Sequence, residues 1–421
     1  MSNGGSMTRR DVAQSQNAGT IDRATWALAV LALFAGFAQF GAVASLADVA
    51  KHFGHVTDST SLASQVGLSG SVLGLGLAAL RVASLGALPL ASLADRWGRT
   101  RLVRQTLWLG LAITAAAALS PTYWFFVACF ALGRPLLSTA STLLQVMTVE
   151  LSSTAHRVGR LALVAAGAGA GAGLSAILHG AIRSEGSFRW LFALAILPVV
   201  GVGALLRVVP EPRSHDTTLL ARVGAVPQIY RGQLWRVATV VAVLGMIGGP
   251  ANGFVFVYGE SVLHISPSKV ALMVATAAVT GLGGLLLSRW LAQRWGRRST
   301  VALGLVASGL TATLAYGGGK VAFVAGYLLG VAAGGLVTPV ITALGTEIFP
   351  HHVRATAAGW LVVAGVVGAT AGLGLFGWVG DAVHSSGSDA LRWPAIITFI
   401  PMLWTAGLLR ALPESAGVEL V

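Results

Sequence analysis

The chain has 421 residues, of which 55% are hydrophobic and 10% charged, with 28 Lys and Arg against 15 Asp and Glu and a formal net charge of +13. Its mean hydropathy is +0.76; soluble domains carry about 25% charged residues, so the composition excludes a water-soluble globular enzyme. A single cysteine, Cys129, excludes a disulfide framework and a cysteine-based metal site.

A membrane-spanning helix takes roughly 20 apolar residues. Such runs occur at 24–47, 66–92, 104–119, 122–147, 160–181, 188–206, 235–259, 269–290, 299–316, 321–345, 355–380 and 391–410. The reading is an all-α integral membrane protein of twelve transmembrane helices. The first run carries a cleavage-like Ala42-Val43-Ala44, but it exceeds the core of about 7 to 15 residues of a secretory signal and is expected to stay. Domain bounds follow: an N-terminal arm at 1–23, a six-helix bundle at 24–206, a linker at 207–234, a second bundle at 235–410 and a tail at 411–421. The 54 glycines have no collagen period and fit close helix packing in lipid.

Lys and Arg of short loops mark the cytoplasmic side. With the N-terminus inside, inner segments carry Arg9, Arg10, Arg23, then Arg96, Arg99, Arg101, Arg104, and further arginines in each later inner loop. The outer segments hold only Lys51, Arg183, Arg189, Lys269, Lys320 and Arg392. Both termini are therefore expected in the cytoplasm, the protein lying in the plasma (cytoplasmic) membrane. The positive excess is a topology signal and not a nucleic-acid footprint.

Internal repeats come next in chain order. Asp95-Arg96-Trp97-Gly98-Arg99, after the second span, recurs as Gln293-Arg294-Trp295-Gly296-Arg297 after the eighth. Glu150 and Arg157 recur as Glu347 and Arg354, and Pro210-Glu211 recurs as Pro413-Glu414. Three anchors in one order, at offsets agreeing to within a few residues, indicate a duplicated six-helix unit.

These residues resemble the major facilitator superfamily over essentially the whole chain. Leu93-Ala94-Asp95-Arg96-Trp97-Gly98-Arg99 is similar to that family's signature between helices 2 and 3. Glu347-Ile348-Phe349-Pro350 with Val353-Arg354-Ala355-Thr356-Ala357, and Pro413-Glu414-Ser415-Ala416-Gly417, resemble loops of sugar porters and organic-acid symporters. Ala91 replaces the signature's usual leading glycine, Arg289 and Gln293 depart from it in the second half, and the helix-5 Gly-Pro pair of antiporters is missing. The resemblance implies secondary transport by alternating access, in two pseudo-symmetric halves.

Halves that rock about a central site need a gate that holds and yet breaks each cycle. Exposed ion pairs contribute about 0 to 1 kcal/mol, and more in networks. The candidate gating residues are Asp95, Arg96, Gly98, Arg99, Glu150, Arg157, Arg294, Arg297, Glu347 and Arg354. Asp95 could accept from the positive end of helix 11, and Glu150 is expected to pair with Arg99 or Arg157, Glu347 with Arg297 or Arg354. The bland alternative is that these charges anchor helix ends at the headgroups.

Arg81 and Arg134 fall inside spans, where a charge costs at least ~2.5–3.5 kcal/mol and usually faces a partner or a water path. No carboxylate occupies the middle of any span; Asp48, Glu150, Glu260, Glu347 and Asp381 lie at or near helix ends. In sugar porters a helix-1 acid faces the helix-4 arginine and takes part in proton coupling, but here that stretch reads Ala38-Gln39-Phe40-Gly41. An arginine without an acid calls for an anion, so Arg81, Arg134 and Gln39 are candidate substrate ligands. Snorkelling or bonding to helix carbonyls, Gln39, Gln145, Ser69 or Ser71 is the competing reading. In the second half, the break at Gly248-Gly249-Pro250-Ala251-Asn252-Gly253 frees carbonyls at depth, and Asn252, Phe254 and Tyr258 are candidates for the opposite wall. A packing kink explains them as readily.

For proton coupling the candidates are His179, Asp48 and Glu260. Gly372, Gly374 and Gly377 spell a dinucleotide fingerprint, but with no strand before them. Nothing calls for a cofactor, a metal or a catalytic residue. The expectation is a non-enzymatic transporter, a monomer in the lipid bilayer, taking up a small organic anion or polar metabolite, with the proton as candidate coupling ion. Multidrug or metabolite efflux by proton antiport is the alternative.

Overall fold

The computed structural model describes residues 9–55, 62–152, 156–182, 187–211, 224–383 and 390–409. The side chains of 9–22, Leu62, Asp95, Val158, Ser187, Thr346, Glu347, His351 and His352 are outside that description. Residues 1–8 of the N-terminal arm, residues 212–223 of the linker and the Pro413-Glu414 motif therefore lie outside the described residues.

Among the described residues, eleven helices are long and apolar enough to cross a membrane: α1 (Arg23–Ala44), α2 (Gly70–Ser92), α3 (Arg99–Leu119), α4 (Tyr123–Glu150), α5 (Gly159–Ala181), α6 (Phe188–Leu206), α7 (Gln228–Gly253), α8 (Pro267–Trp295), α9 (Arg297–Gly317), α10 (Lys320–Gly345) and α11 (Val353–Ala382). The twelfth predicted span, α12, is two shorter helices, Arg392–Phe399 and Pro401–Leu408. Proline has no N–H for the preceding turn, which explains why the rod divides at Pro401. No strand occurs among the described residues. The predicted second span starts late, because Leu62–Val66 forms its own short helix and α2 begins at Gly70 under a Ser69 cap. Within α2 a 3-10 turn at Ser84–Gly86 precedes Pro89.

Successive spans alternate in direction, so the segments at 93–98, 207–211 and 224–227 and the turn at Gly296 share one face, here the linker end. The opposite face is the far end. The helices divide into α1–α6 and α7–α12, each packed on itself. In the first half α1 lies along α5, and in the second α7 lies along α11. Small residues make this possible: a Cβ at Gly167 or Gly171 would run into the backbone of Ala29 or Leu33, and one at Gly368 or Gly372 into that of Ala242 or Met246. Gly372 and Gly377, two of the fingerprint glycines, are thus packing residues, the second against Gly70 of α2.

The repeat visible in sequence is also a repeat of backbone. Gly98 has φ 84° and Gly296 has φ 83°, a region L side chains rarely enter. Each glycine turns the chain into the next span, α3 or α9.

The halves meet along α2 with α11 and α5 with α8. Among the described residues, helices α3, α6, α9 and α12 make their main contacts within their own halves. That leaves α1 and α4 facing α7 and α10 across the middle.

Candidate functional site

Arg134 sits on α4 one position before Pro135. Its Nη1 donates to the carbonyl of Gln39 on α1 at 3.1 Å. Gln39 is fixed in turn, its Nε2 donating to Ser141 Oγ at 2.9 Å and to the Leu137 carbonyl at 3.4 Å. The Nε of Arg134 is buried without a hydrogen-bond partner. Arg81, on the last turn of α2 before its 3-10 segment, lies close enough for the two positive charges to act on each other. Neither guanidinium has an ion pair with a carboxylate among the described residues. Two half-buried cations, one from α2 and one from α4, are short of negative charge.

The second-half wall differs from expectation. Asn252 is exposed, donates to its own helix at Gly248 and lies 3.4 Å from the hydroxyl of Tyr327 on α10. The carbonyls of Pro250 and Ala251 are not open to a cavity, because the Tyr316 hydroxyl donates to them at 3.3 and 2.9 Å. Phe254 and Tyr258, expected on the wall, are fully buried. Tyr258 packs on Tyr316 and Phe323 and its hydroxyl donates to the Gly318 carbonyl at 3.1 Å. The helix breaks after Gly253 and resumes as a wide turn at Val257–Val262, which rotates these rings into the half's core.

At the linker end, Glu150 pairs with Arg99 inside the first half, both side chains buried. Arg157 does not take this role; its Nε is buried without a hydrogen-bond partner. Arg96 is exposed beside Gly98. Arg294 stacks over Trp290, 5.5 Å from the ring centroid, while Arg297 and Arg354 each have interaction partners. Asp95 and Glu347 carry side chains outside the described residues, so their proposed locks are not described.

Sequence reasoning missed Glu211, noted only as a repeat marker. Its carboxylate accepts from the backbone N–H groups of Arg99 at 2.6 Å and Thr100 at 3.2 Å. It thereby caps α3, whose own N-cap, Gly98, has no side chain to offer. A glycine opening a helix without a capping residue was the available signal.

At the far end the halves are joined. Asp381, ending α11, accepts from the backbone N–H of Gly70 at 2.7 Å and of Ser71 at 2.8 Å, and from the Ser71 hydroxyl. Ser268 of α8 donates to the Gly180 carbonyl of α5 at 2.8 Å. Phe40 and Phe256 meet edge to face at 6.2 Å. The three residues singled out for proton chemistry also converge here: His179 Nε2 lies 2.9 Å from Glu260 Oε1 and its Nδ1 lies 3.5 Å from Asp48 Oδ2. His179 and Asp48 belong to the first half and Glu260 to the second.

Two bundles of apolar helices joined at the far end are the architecture of a membrane carrier. The Major Facilitator Superfamily profile matches residues 26–266 and 252–419, and the chain belongs to that superfamily; it is a multi-pass membrane transporter and not an enzyme. It is 25% identical to the gentisate transporter of Corynebacterium glutamicum over 388 residues, 86% of this chain and 83% of the relative. Solved structures share the fold. A bacterial homologue of the lysosomal transporter Spinster, in an inward-facing unoccupied conformation, superposes with TM-score 0.73 at 14% identity, covering 93% of this chain and 97% of that one. The xylose transporter XylE from E. coli, inward open, gives 0.69 at 18% identity, covering 95% and 98%. A human organic anion transporter gives 0.65 at 15% identity, covering 92% and 99%.

Proposed function

We propose that the protein takes up a small organic anion by alternating access, with a proton as coupling ion. The carrying observation is the pair Arg81 and Arg134, on α2 and α4, near enough for their charges to act on each other and with no carboxylate ion pair to either among the described residues. A carboxylate or phosphate on the substrate would supply what they lack, and charge-assisted contacts to arginine are among the stronger hydrogen bonds. Gln39 acts mainly as the prop that holds Arg134, through its backbone carbonyl, while Asn252 offers an amide from the opposite wall. Kinship with a gentisate transporter supports a carboxylate substrate.

Residues 24–206 and 235–410 would be the rocking bundles, joined by the linker at 207–234. The arginine-rich loops favour the linker end in the cytoplasm. In that orientation both termini are cytoplasmic and the joined far end is external. A thermal-shift series on purified protein tests the substrate class, since a ligand stabilises with the logarithm of its occupancy. Aromatic and aliphatic organic acids should raise the melting temperature; stabilisation by sugars or cationic drugs and by no acid would overturn the reading.

A further inference from the structure

The cluster of His179, Asp48 and Glu260 at the far end has a hydrogen-bonding problem that a proton solves. A neutral imidazole has one N–H and one lone pair, and an ionised carboxylate only accepts. With both acids ionised, a neutral ring can donate to one and must turn its lone pair on the other. Nε2 is hydrogen-bonded to Glu260 at 2.9 Å, while Nδ1 is buried without a hydrogen-bond partner, 3.5 Å from Asp48 Oδ2. The ring is held in place by Phe256, edge to face at 5.5 Å. The side chains of His179 and Glu260 are only 1% and 3% exposed, so water cannot relieve the mismatch.

We infer that His179, Asp48 and Glu260 form a proton-binding site at the seam between the halves, which takes up one proton as the far end closes and gives it back as the far end opens. The inference deepens the proposed proton coupling and rests on the carrier reading. Adding one proton, whether as imidazolium or on an acid, leaves no ring lone pair facing a carboxylate. Opening withdraws Glu260 from His179, because they belong to opposite halves, and the need for the proton goes with it. Asp48, 28% exposed, gives the proton its way in and out at the far face.

The other charges around the cluster fit this count. Lys51, a turn beyond Asp48 on the short helix Leu46–Phe53, is the further charged group acting on both His179 and Glu260. With the proton bound, two carboxylates face one imidazolium and one ammonium, which leaves the site neutral. The Leu62–Val66 helix against the 257–262 turn brings Gln65 and no charge, and the start of α8 brings Ser268 and the exposed Lys269. The anion site on α2 and α4 shares no residue with this cluster.

The test is a spin-label distance measurement in nanodiscs, without substrate, between cysteines placed at the exposed far-end positions Trp124 and Val321 in a Cys129→Ser background. Uptake of one proton on closing makes the ratio of closed to open far ends fall by up to tenfold per pH unit as pH rises. Glu260→Gln lets a neutral ring donate to Asp48 and accept from the new amide, so the variant should stay closed with a flat pH response. Asp48→Asn should flatten the response in the same way and serves if the first variant folds poorly. A flat response in the unsubstituted protein, or an unchanged slope in both variants, would overturn the inference. Neither outcome bears on the anion reading, which fails separately if no organic acid stabilises the protein.

Discussion

Asp381 at the end of α11 holds the first turn of α2 through the N–H groups of Gly70 and Ser71, at 2.7 and 2.8 Å, so one half of the carrier caps a helix of the other. The free N–H groups of a helix N-terminus carry partial positive charge, and here a carboxylate from the opposing bundle satisfies two of them. In the alternating-access reading, closure and helix capping would be one interaction.

Asp381→Asn should therefore favour the far-open state. Loss of a charged cap costs about 1 to 2 kcal/mol, which corresponds to a shift of roughly fivefold to thirtyfold in the closed-to-open ratio. The same far-end spin-label pair reads it, and an unchanged distance distribution would show that the cap does not hold the gate.

Glu211 makes a similar cap within one half, on α3. Glu211→Ala should lower stability by about 0.5 to 1 kcal/mol, a modest figure because the side chain is exposed. Glu211→Gln should recover part of that. Thermal melting followed by size-exclusion chromatography distinguishes the two variants.

The buried pair Arg99 and Glu150 should be far more sensitive. Glu150→Gln takes from the buried Arg99 guanidinium its acid partner, and breaking such pairs costs about 3 to 5 kcal/mol. Replacing both residues with apolar side chains of similar size should restore much of the stability, while gating kinetics in transport assays would record any functional role.

Glycine substitutions separate packing from space. Gly171→Leu should abolish a stable fold, since even a Cβ there meets the Leu33 backbone, whereas Gly169→Ala, with nothing nearby, should be tolerated. Yield and monodispersity after purification are the readout.

Much of the fold was legible because lipid enforces it. Length, hydropathy and the repeated Arg-Trp-Gly-Arg turn suffice for twelve spans in two halves, and the positive φ at Gly98 and Gly296 shows why that turn needs glycine. The pair Arg81 and Arg134 was visible as charge in the wrong place. What pattern could not reveal was rotation: Tyr258 sits two turns past Pro250 on paper, but the break after Gly253 points it into the core. Nor could it bring together residues 48, 179 and 260, whose meeting depends on how two bundles close. The cap from Glu211 lies 112 positions from its target, beyond any local signal.

The central claim is that Arg81 and Arg134 bind the anion that is carried. Uptake of radiolabelled organic acid into proteoliposomes, for the unsubstituted protein against Arg81→Gln and Arg134→Gln, tests it most directly, with melting temperature as a control for folding. The account predicts that each variant folds and loses transport by at least an order of magnitude, since a charged hydrogen bond contributes about 1.5 to 3 kcal/mol. Undiminished uptake by both variants would contradict it.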